Sequence, residues 1–151
     1  MVQLAVEAGA KVTAVDGPQH ADRLTGYGAD KVPGPLHLDA GPATVGGPFD
    51  VVFNHVRLGP ADLAKITPYV ADGGIVVSSA GPVPADEARS VRTAGVWVGP
   101  DASHLADLVS RVDNGVLKLH IADRRPLDEL PTVHQDANNG KLLGKTVIVV
   151  A

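Results

Sequence analysis

The chain has 151 residues, 44% of them hydrophobic and 20% charged, which is typical of a globular protein with one ordinary domain. It contains no cysteine, which excludes disulfide bonds, thiolate metal sites and cysteine nucleophiles. The net charge of −4 and the aromatic content of 3% argue against nucleic-acid binding. No apolar run approaches the roughly 20 residues that cross a bilayer, and the start lacks a basic secretory signal. We therefore expect a cytoplasmic protein with no membrane partner.

Short apolar segments alternate along the chain with longer amphipathic ones, a pattern typical of a layered α/β domain with a mainly parallel sheet. The predicted helices cover residues 2–8, 20–27, 61–70, 86–93, 104–113 and 127–138. The predicted strands cover residues 11–15, 31–32, 49–54, 75–79, 96–98 and 145–151, with residues 117–121 also extended. Four prolines and four glycines predict a loop at residues 33–48. The sequence Asp-Gly-Gly predicts a turn at residues 72–74. Without a repeat or a linker, residues 1–151 are predicted to form a single domain.

Two of these segments carry the strongest patterns. The helix at 104–113 places four apolar side chains on one face and ends before Gly115; they are Leu105, Leu108, Val109 and Val112. The unbroken apolar run at the end of the chain predicts a strand buried on both faces, as in the centre of a parallel sheet.

Taken in order, five stretches of the chain resemble a known family; they are residues 2–12, 28–32, 49–56, 63–77 and 138–147. They are similar to the cofactor-binding part of the medium-chain dehydrogenases/reductases, most of all to the zinc-independent quinone oxidoreductases of the zeta-crystallin-like branch. Residues 116–151 resemble the C-terminal tail of that family, whereas residues 33–48 and 82–94 do not match. The resemblance implies a Rossmann-like, mainly parallel sheet with flanking helices.

The resemblance also implies that the first strand and its glycine-rich, phosphate-binding loop are missing, because the chain begins inside the helix that follows them. That strand lies in the middle of the family's sheet, and its loss leaves unpaired backbone groups on both neighbours. We therefore expect either the apolar tail, residues 146–150, or a second chain to fill the position. The second chain would form a homodimer or act as a complementing chain.

The resemblance assigns the adenosine end of a nicotinamide cofactor to residues that follow the second family strand. Asp16 stands where an acid accepts hydrogen bonds from ribose hydroxyls and repels a 2′-phosphate. His20 and Pro35 stand where NADPH-preferring relatives carry a basic residue and a tyrosine. The cofactor is therefore NAD(H) or NADP(H), with NAD(H) favoured. The alternative is that Asp16 only caps the following Asp-Gly-Pro turn.

Further cofactor-binding candidates follow the strands predicted at 49–54 and 75–79, because ligands of open α/β sheets collect at the carboxyl ends of strands. These candidates are Asn54, Val56, Ser78, Ser79, Ala80 and Gly81. The alternative is that they form ordinary strand-to-loop turns. No residue could be assigned as catalytic.

Two kinds of catalytic site find no support in the sequence. The six histidines form no His-x-x-x-His or Glu-x-x-His pair, so no metal site is predicted. The serines lack a Gly-x-Ser-x-Gly elbow, so no hydrolase triad is predicted.

The leading hypothesis is the cofactor-binding domain of an NAD(P)-dependent oxidoreductase that reduces a small quinone or enone; such a domain can be inactive alone. Two alternatives stay open. One is a fragment of an S-adenosylmethionine-dependent methyltransferase, since an Asp-containing strand followed by a Gly-Gly turn is common there too. The other is a non-enzymatic remnant or interaction domain that binds a partner through its sheet edges.

Overall fold

The computed structural model describes residues 1–150, and the chain divides into two compact units, Met1–Asp101 and Ala102–Ala151. Unit 1 contains the helices and strands α1 (Val2–Glu7), α2 (Ala21–Gly26), β1 (Phe49–Asn54), α3 (Pro60–Ala64), β2 (Val70–Ser78) and β3 (Arg92–Gly95). Unit 2 contains α4 (Ala102–Asp113), β4 (Ile121–Pro126), α5 (Leu130–Asn138) and β5 (Lys145–Val149). Short 3-10 turns cover Pro18–His20, Leu38–Ala40, Pro42–Val45, Thr67–Tyr69 and Leu127–Glu129.

The sheet of unit 1 is a parallel three-stranded sheet with the order β1-β2-β3. The register pairs Val52 with Val76 and Asn54 with Ser78, so the first two strands end side by side. The second pair of parallel strands, β4 and β5, lies in unit 2. The predicted α/β class with mainly parallel pairing is therefore confirmed.

The turn predicted at residues 72–74 is wrong, because these residues lie inside β2. The register between β1 and β2 shifts between Phe49 and Val51, and the extra residues of β2 form an irregularity there. Gly73 has a φ of +77°, a conformation that glycine adopts without strain. The Gly-Gly pair therefore marks a distortion within a strand and not the end of one.

The strands predicted at 11–15 and 31–32 are reduced to a single parallel bridge between Thr13 and Lys31. The amide of Ala14 donates to the Lys31 carbonyl over 2.9 Å, and the amide of Asp30 donates to the Val12 carbonyl over 2.9 Å. The two segments run side by side as predicted, but the ladder between them is short.

The helix predicted at 86–93 is wrong. Asp86 and Val91 form an antiparallel bridge, with hydrogen bonds of 3.1 and 2.8 Å between their backbones. Ser90, between them, has a φ of +55°, which no right-handed helix allows. The Arg89 side chain donates to Asp72 and to the Val70 carbonyl, which ties this turn to β2.

The strand predicted at 96–98 is also wrong, because β3 occupies Arg92–Gly95. Only the Val96 amide continues the ladder, donating to the Ser78 carbonyl over 2.9 Å. The next two side chains, Trp97 and Val98, are almost fully exposed.

The core of unit 1 lies between the sheet and the segment that joins β1 to β2. Its buried members are Leu63, Ile66, Val70, Val76, Val83 and Val91. Leu38, Val52 and Leu58 pack against this cluster. The hydroxyl of the buried Tyr69 shares its proton between the His37 and Leu38 carbonyls, which together with the Leu38 side chain anchors the loop at 33–48 to the core.

In unit 2 the prediction of a helix at 104–113 is confirmed, with α4 beginning two residues earlier. Its predicted apolar face lines a groove together with Leu119. The helix predicted at 127–138 is confirmed as a 3-10 turn followed by α5. Of the extended segment predicted at 117–121, only Ile121 belongs to a strand.

The tail forms β5 as predicted, but its predicted place is wrong. It pairs in parallel with β4 in a two-stranded sheet and does not join the sheet of unit 1. Lys145 and Val149 are exposed, so this is not a strand buried on both faces. Within residues 1–150, no helix is long and apolar enough to cross a membrane.

An ion-pair cluster joins the end of β4 to the turn before α5. The Arg125 guanidinium donates from Nε to Asp123 and from Nη1 to Glu129, the second bond being 2.7 Å long. The hydrogen bond from Arg125 holds the pKa of Asp123 below its ordinary value, and the two carboxylates raise the pKa of Arg125. Asp123 therefore binds a proton less readily in the folded chain than in the unfolded one.

This cluster predicts an acid-dependent contribution to the stability of unit 2. Because the folded pKa of Asp123 is lowered, its contribution is fully present above the unfolded pKa of about 3.9 and disappears as pH falls through the folded pKa. Asp123→Asn should therefore be less stable than the wild type at neutral pH, with the gap closing in acid. Thermal unfolding from pH 7 to pH 2 measures it. The control is Asp128→Asn, which alters a nearby exposed carboxylate outside the two Arg125 ion pairs.

Candidate functional site

The carboxyl ends of β1 and β2 bring the predicted candidates of both strands together. Asn54 and Ser78 are the last residues of these strands and lie opposite each other in the register. The amide of Ser79 donates to the Asn54 carbonyl over 3.0 Å, which carries the pairing one residue further. Parallel strands end at the same edge of a sheet, and polar side chains that follow them meet there.

A buried hydrogen bond forms the base of this cluster. The Asn54 side-chain amide donates to Ser78 Oγ over 3.1 Å, and both residues are buried. Asn54 Oδ1 accepts the amide of Val56 over 3.2 Å, and Ser78 Oγ accepts the amide of Ala80 over 3.4 Å. Asn54 and Ser78 thus satisfy each other and shape the two loops above them. We call Asn54, His55, Val56, Ser78, Ser79 and Ala80 the strand-end cluster.

The outer layer of the strand-end cluster is a histidine–serine pair. His55 Nδ1 and Ser79 Oγ lie 2.6 Å apart, and both side chains are exposed. The His55 ring stacks on Phe53, with 6.0 Å between ring centroids and 18° between ring planes. The sequence hypothesis included Ser79 but not His55. The position of His55, directly after a buried strand and between two candidates, was the signal that could have found it.

Gly81 lies beside the strand-end cluster and has a φ of +139°, which favours glycine. A Cβ atom there would lie 3.3 Å from Leu63 Cδ1, so the backbone passes close to the core at this point. The loop after β2 therefore rests directly on a core side chain.

Asp16 and His20 lie in a different part of unit 1. The Asp16 carboxylate accepts the amide of the next residue, Gly17, over 2.7 Å, while the side chain stays exposed to further donors. His20 Nδ1 lies 2.8 Å from Arg23 Nη2. Because a guanidinium has no acceptor, Arg23 is the donor of this bond. Among the bonds of the described residues, none joins this pair to the strand-end cluster.

These features define a Rossmann-like protein, in which parallel strands present polar groups at their carboxyl ends. Residues 27–148 match the family model described as zinc-binding dehydrogenase. The chain therefore belongs to the zinc-binding dehydrogenase family, within the medium-chain dehydrogenase/reductase superfamily that the sequence resembles. A comparison with curated proteins gives no match.

Three solved structures show the same fold. An NAD-dependent alcohol dehydrogenase is 23% identical with a TM-score of 0.80, and its match covers 99% of this chain and 47% of its own. The quinone oxidoreductase from Coxiella burnetii is 20% identical with a TM-score of 0.80, and its match covers 99% of this chain and 48% of its own. A mycobacterial protein complexed with NADPH is 22% identical with a TM-score of 0.68, and its match covers 98% of this chain and 51% of its own. The chain spans about half the length of these structures.

The family's description implies zinc, but the described side chains do not fit a zinc ion. Among residues 1–150, no group of three histidine, aspartate or glutamate side chains comes together as a cation site, and the chain has no cysteine. Structural zinc sites need four protein ligands and catalytic ones three.

Proposed function

We propose that this chain is the cofactor-binding part of an NAD(P)-dependent oxidoreductase of the quinone or enone reductase type. The observation that carries the proposal is the strand-end cluster, which places hydrogen-bonding groups where Rossmann-like folds receive a nucleotide. The family match supports dehydrogenase chemistry and gives no support to a methyltransferase. The resemblance of the sequence to the zeta-crystallin-like branch supports the zinc-independent form of the proposal.

The residues fit a dinucleotide by their donor and acceptor chemistry. Asp16 supplies an exposed carboxylate for ribose hydroxyls, and the strand-end cluster supplies hydroxyl and imidazole groups. Gly81 lets the loop after β2 pass close to the core side chain Leu63 beside the cluster. When bound, the nicotinamide supplies a hydride, and these residues orient the ring and its ribose. We favour NAD(H), because Asp16 repels a 2′-phosphate.

Asp16 provides the first test, because one substitution separates cofactor binding from turn capping. Asp16→Asn keeps an oxygen for the Gly17 amide but loses the negative charge. We expect NADH to bind at least about tenfold more weakly, since a hydrogen bond to a charged group contributes about 1.5–3 kcal/mol. NADPH should bind to Asp16→Asn at least as tightly as to the wild type, because the charge that repels its 2′-phosphate is lost. Titration calorimetry with both nucleotides measures the change.

The matched control is Asp22→Asn, which removes the same charge from an exposed position in α2. It should leave both affinities unchanged. Equal NADH affinity in the wild type and Asp16→Asn would reduce Asp16 to a turn cap. A wild-type chain that binds neither nucleotide would overturn the proposed function, and binding of S-adenosylmethionine instead would favour the methyltransferase.

A further inference from the structure

His55 and Ser79 are the exposed half of the strand-end cluster, and their arrangement points to a task beyond holding a cofactor. The two atoms that face each other, Nδ1 and Oγ, are 2.6 Å apart, which is a short hydrogen bond. The residues follow adjacent parallel strands, so the backbone register fixes their separation. Stacking on Phe53 holds the imidazole plane.

Ser78 and Ser79 differ in the exposure and in the hydrogen bonds of their hydroxyl groups. Ser78 is buried, and its hydroxyl oxygen accepts hydrogen bonds from the Asn54 side chain and the Ala80 amide, so burial shields its proton from solvent. Ser79 is exposed, and apart from His55 its hydroxyl has the Asn54 carbonyl at 3.5 Å, too far to hold a proton firmly. The Ser79 hydroxyl proton is therefore available to a ligand oxygen.

The direction of proton movement follows from the chemistry of the pair. A protonated imidazole carries a proton on both nitrogens, so His55 Nδ1–H donates to Ser79 Oγ. Ser79 can then release its own proton outward while it takes the one from Nδ1. Because the His55 ring is exposed to water, the pair forms a short relay between solvent and a ligand bound at the strand ends.

We infer that Ser79 delivers the proton that completes reduction of the substrate and that His55 supplies it, an inference that rests on the proposed function. Reduction of a quinone needs one hydride, which NAD(P)H supplies, and one proton. The hydride leaves a hydroquinone anion. Ser79 Oγ–H gives its proton to the anionic oxygen, and the proton on His55 Nδ1 passes to Ser79. The products are the neutral hydroquinone, NAD(P)⁺ and neutral His55. Ser79 is the catalytic residue, and His55 acts through it.

The decisive readout is the His55 imidazole itself, followed by nitrogen NMR on the labelled full chain. We expect 1,4-hydroquinone, added with NAD⁺, to shift the Nδ1 resonance of His55 in the wild type. Ser79→Ala should abolish that shift, because the hydroxyl that links the ring to the ligand is gone. Ser79→Thr, which keeps a hydroxyl, should restore it. This readout does not require turnover.

Turnover gives the second readout. Reduction of 1,4-benzoquinone by NADH should fall by about 100-fold or more in Ser79→Ala and in His55→Gln, the range that general acid catalysis covers. The rates are compared at saturating NADH, so that weaker nucleotide binding in either variant does not lower them. Ser110→Ala and His134→Gln, which alter an exposed serine and an exposed histidine in unit 2, should leave the rate unchanged.

Each contrary result has a distinct meaning. If NADH binds but hydroquinone leaves the His55 resonance unmoved, the relay is wrong while the proposed function stands. A wild-type rate in Ser79→Ala also overturns the relay. If neither NADH nor NADPH binds to the wild type, the proposed function fails, and the relay fails with it.

Discussion

Leu63→Ala should lower the free energy of unfolding of unit 1 by about 2–5 kcal/mol, the cost of deleting a large buried aliphatic side chain. Leu63 is 6% exposed and packs in the core with Val70 and Val76, which are fully buried. Its truncation leaves a cavity between α3 and β2 that such a small core cannot easily close. Amide hydrogen exchange at Val76 measures the loss within unit 1 directly.

The same substitution should also loosen the site, because Leu63 Cδ1 lies beside the backbone of Gly81. Leu105→Ala is the matched control, since Leu105 is 62% exposed on α4. It should change stability by no more than about 0.5 kcal/mol. Exchange at Val76 that is as slow in Leu63→Ala as in the wild type would show that this cluster is not the core of unit 1.

Gly74→Ala should have the second largest effect, a destabilisation of about 1–3 kcal/mol or more. A Cβ atom at this position would lie 2.6 Å from the Asp50 carbonyl oxygen, 2.6 Å from Val70 Cγ1 and 2.9 Å from the Ala71 carbonyl oxygen. Two of these contacts are with backbone, which cannot move aside as a flexible side chain can. The added methyl group must therefore push β1 and β2 apart where their register shifts.

Urea unfolding followed by circular dichroism measures the effect of Gly74→Ala. Gly99→Ala is the control, because a Cβ atom at Gly99 would meet nothing within 4 Å. That variant should unfold at the wild-type urea concentration. Equal midpoints for the two variants would mean that β1 and β2 do not approach closely at Gly74.

The sequence predicted those elements whose local pattern agrees with their tertiary role. The strand at 49–54 and the helix at 104–113 combine clear hydrophobic patterns with clear ends, and both are confirmed. The turn predicted at residues 72–74 is wrong because a Gly-Gly pair occurs both in turns and in strand irregularities. The helix predicted at residues 86–93 is wrong because the conformation of this segment depends on Arg89, whose side chain forms hydrogen bonds to distant residues of β2.

The candidate site was predictable in position and not in detail. That polar residues follow the strands ending at Asn54 and Ser78 can be read from the chain, because apolar runs mark strand ends. That His55 pairs with Ser79 while Asn54 pairs with Ser78 depends on the register between two strands 24 residues apart in sequence. Register is a tertiary property, so no local pattern contains it.

The nearly complete exposure of Trp97 has a practical consequence for spectroscopy. It is the only tryptophan in the chain and is 94% exposed, so its emission should change little when the core melts. The indole emits at wavelengths that a reduced nicotinamide absorbs. A bound NADH should therefore quench the Trp97 emission by energy transfer. The extent of quenching would report the distance from the indole to the nicotinamide without an added label.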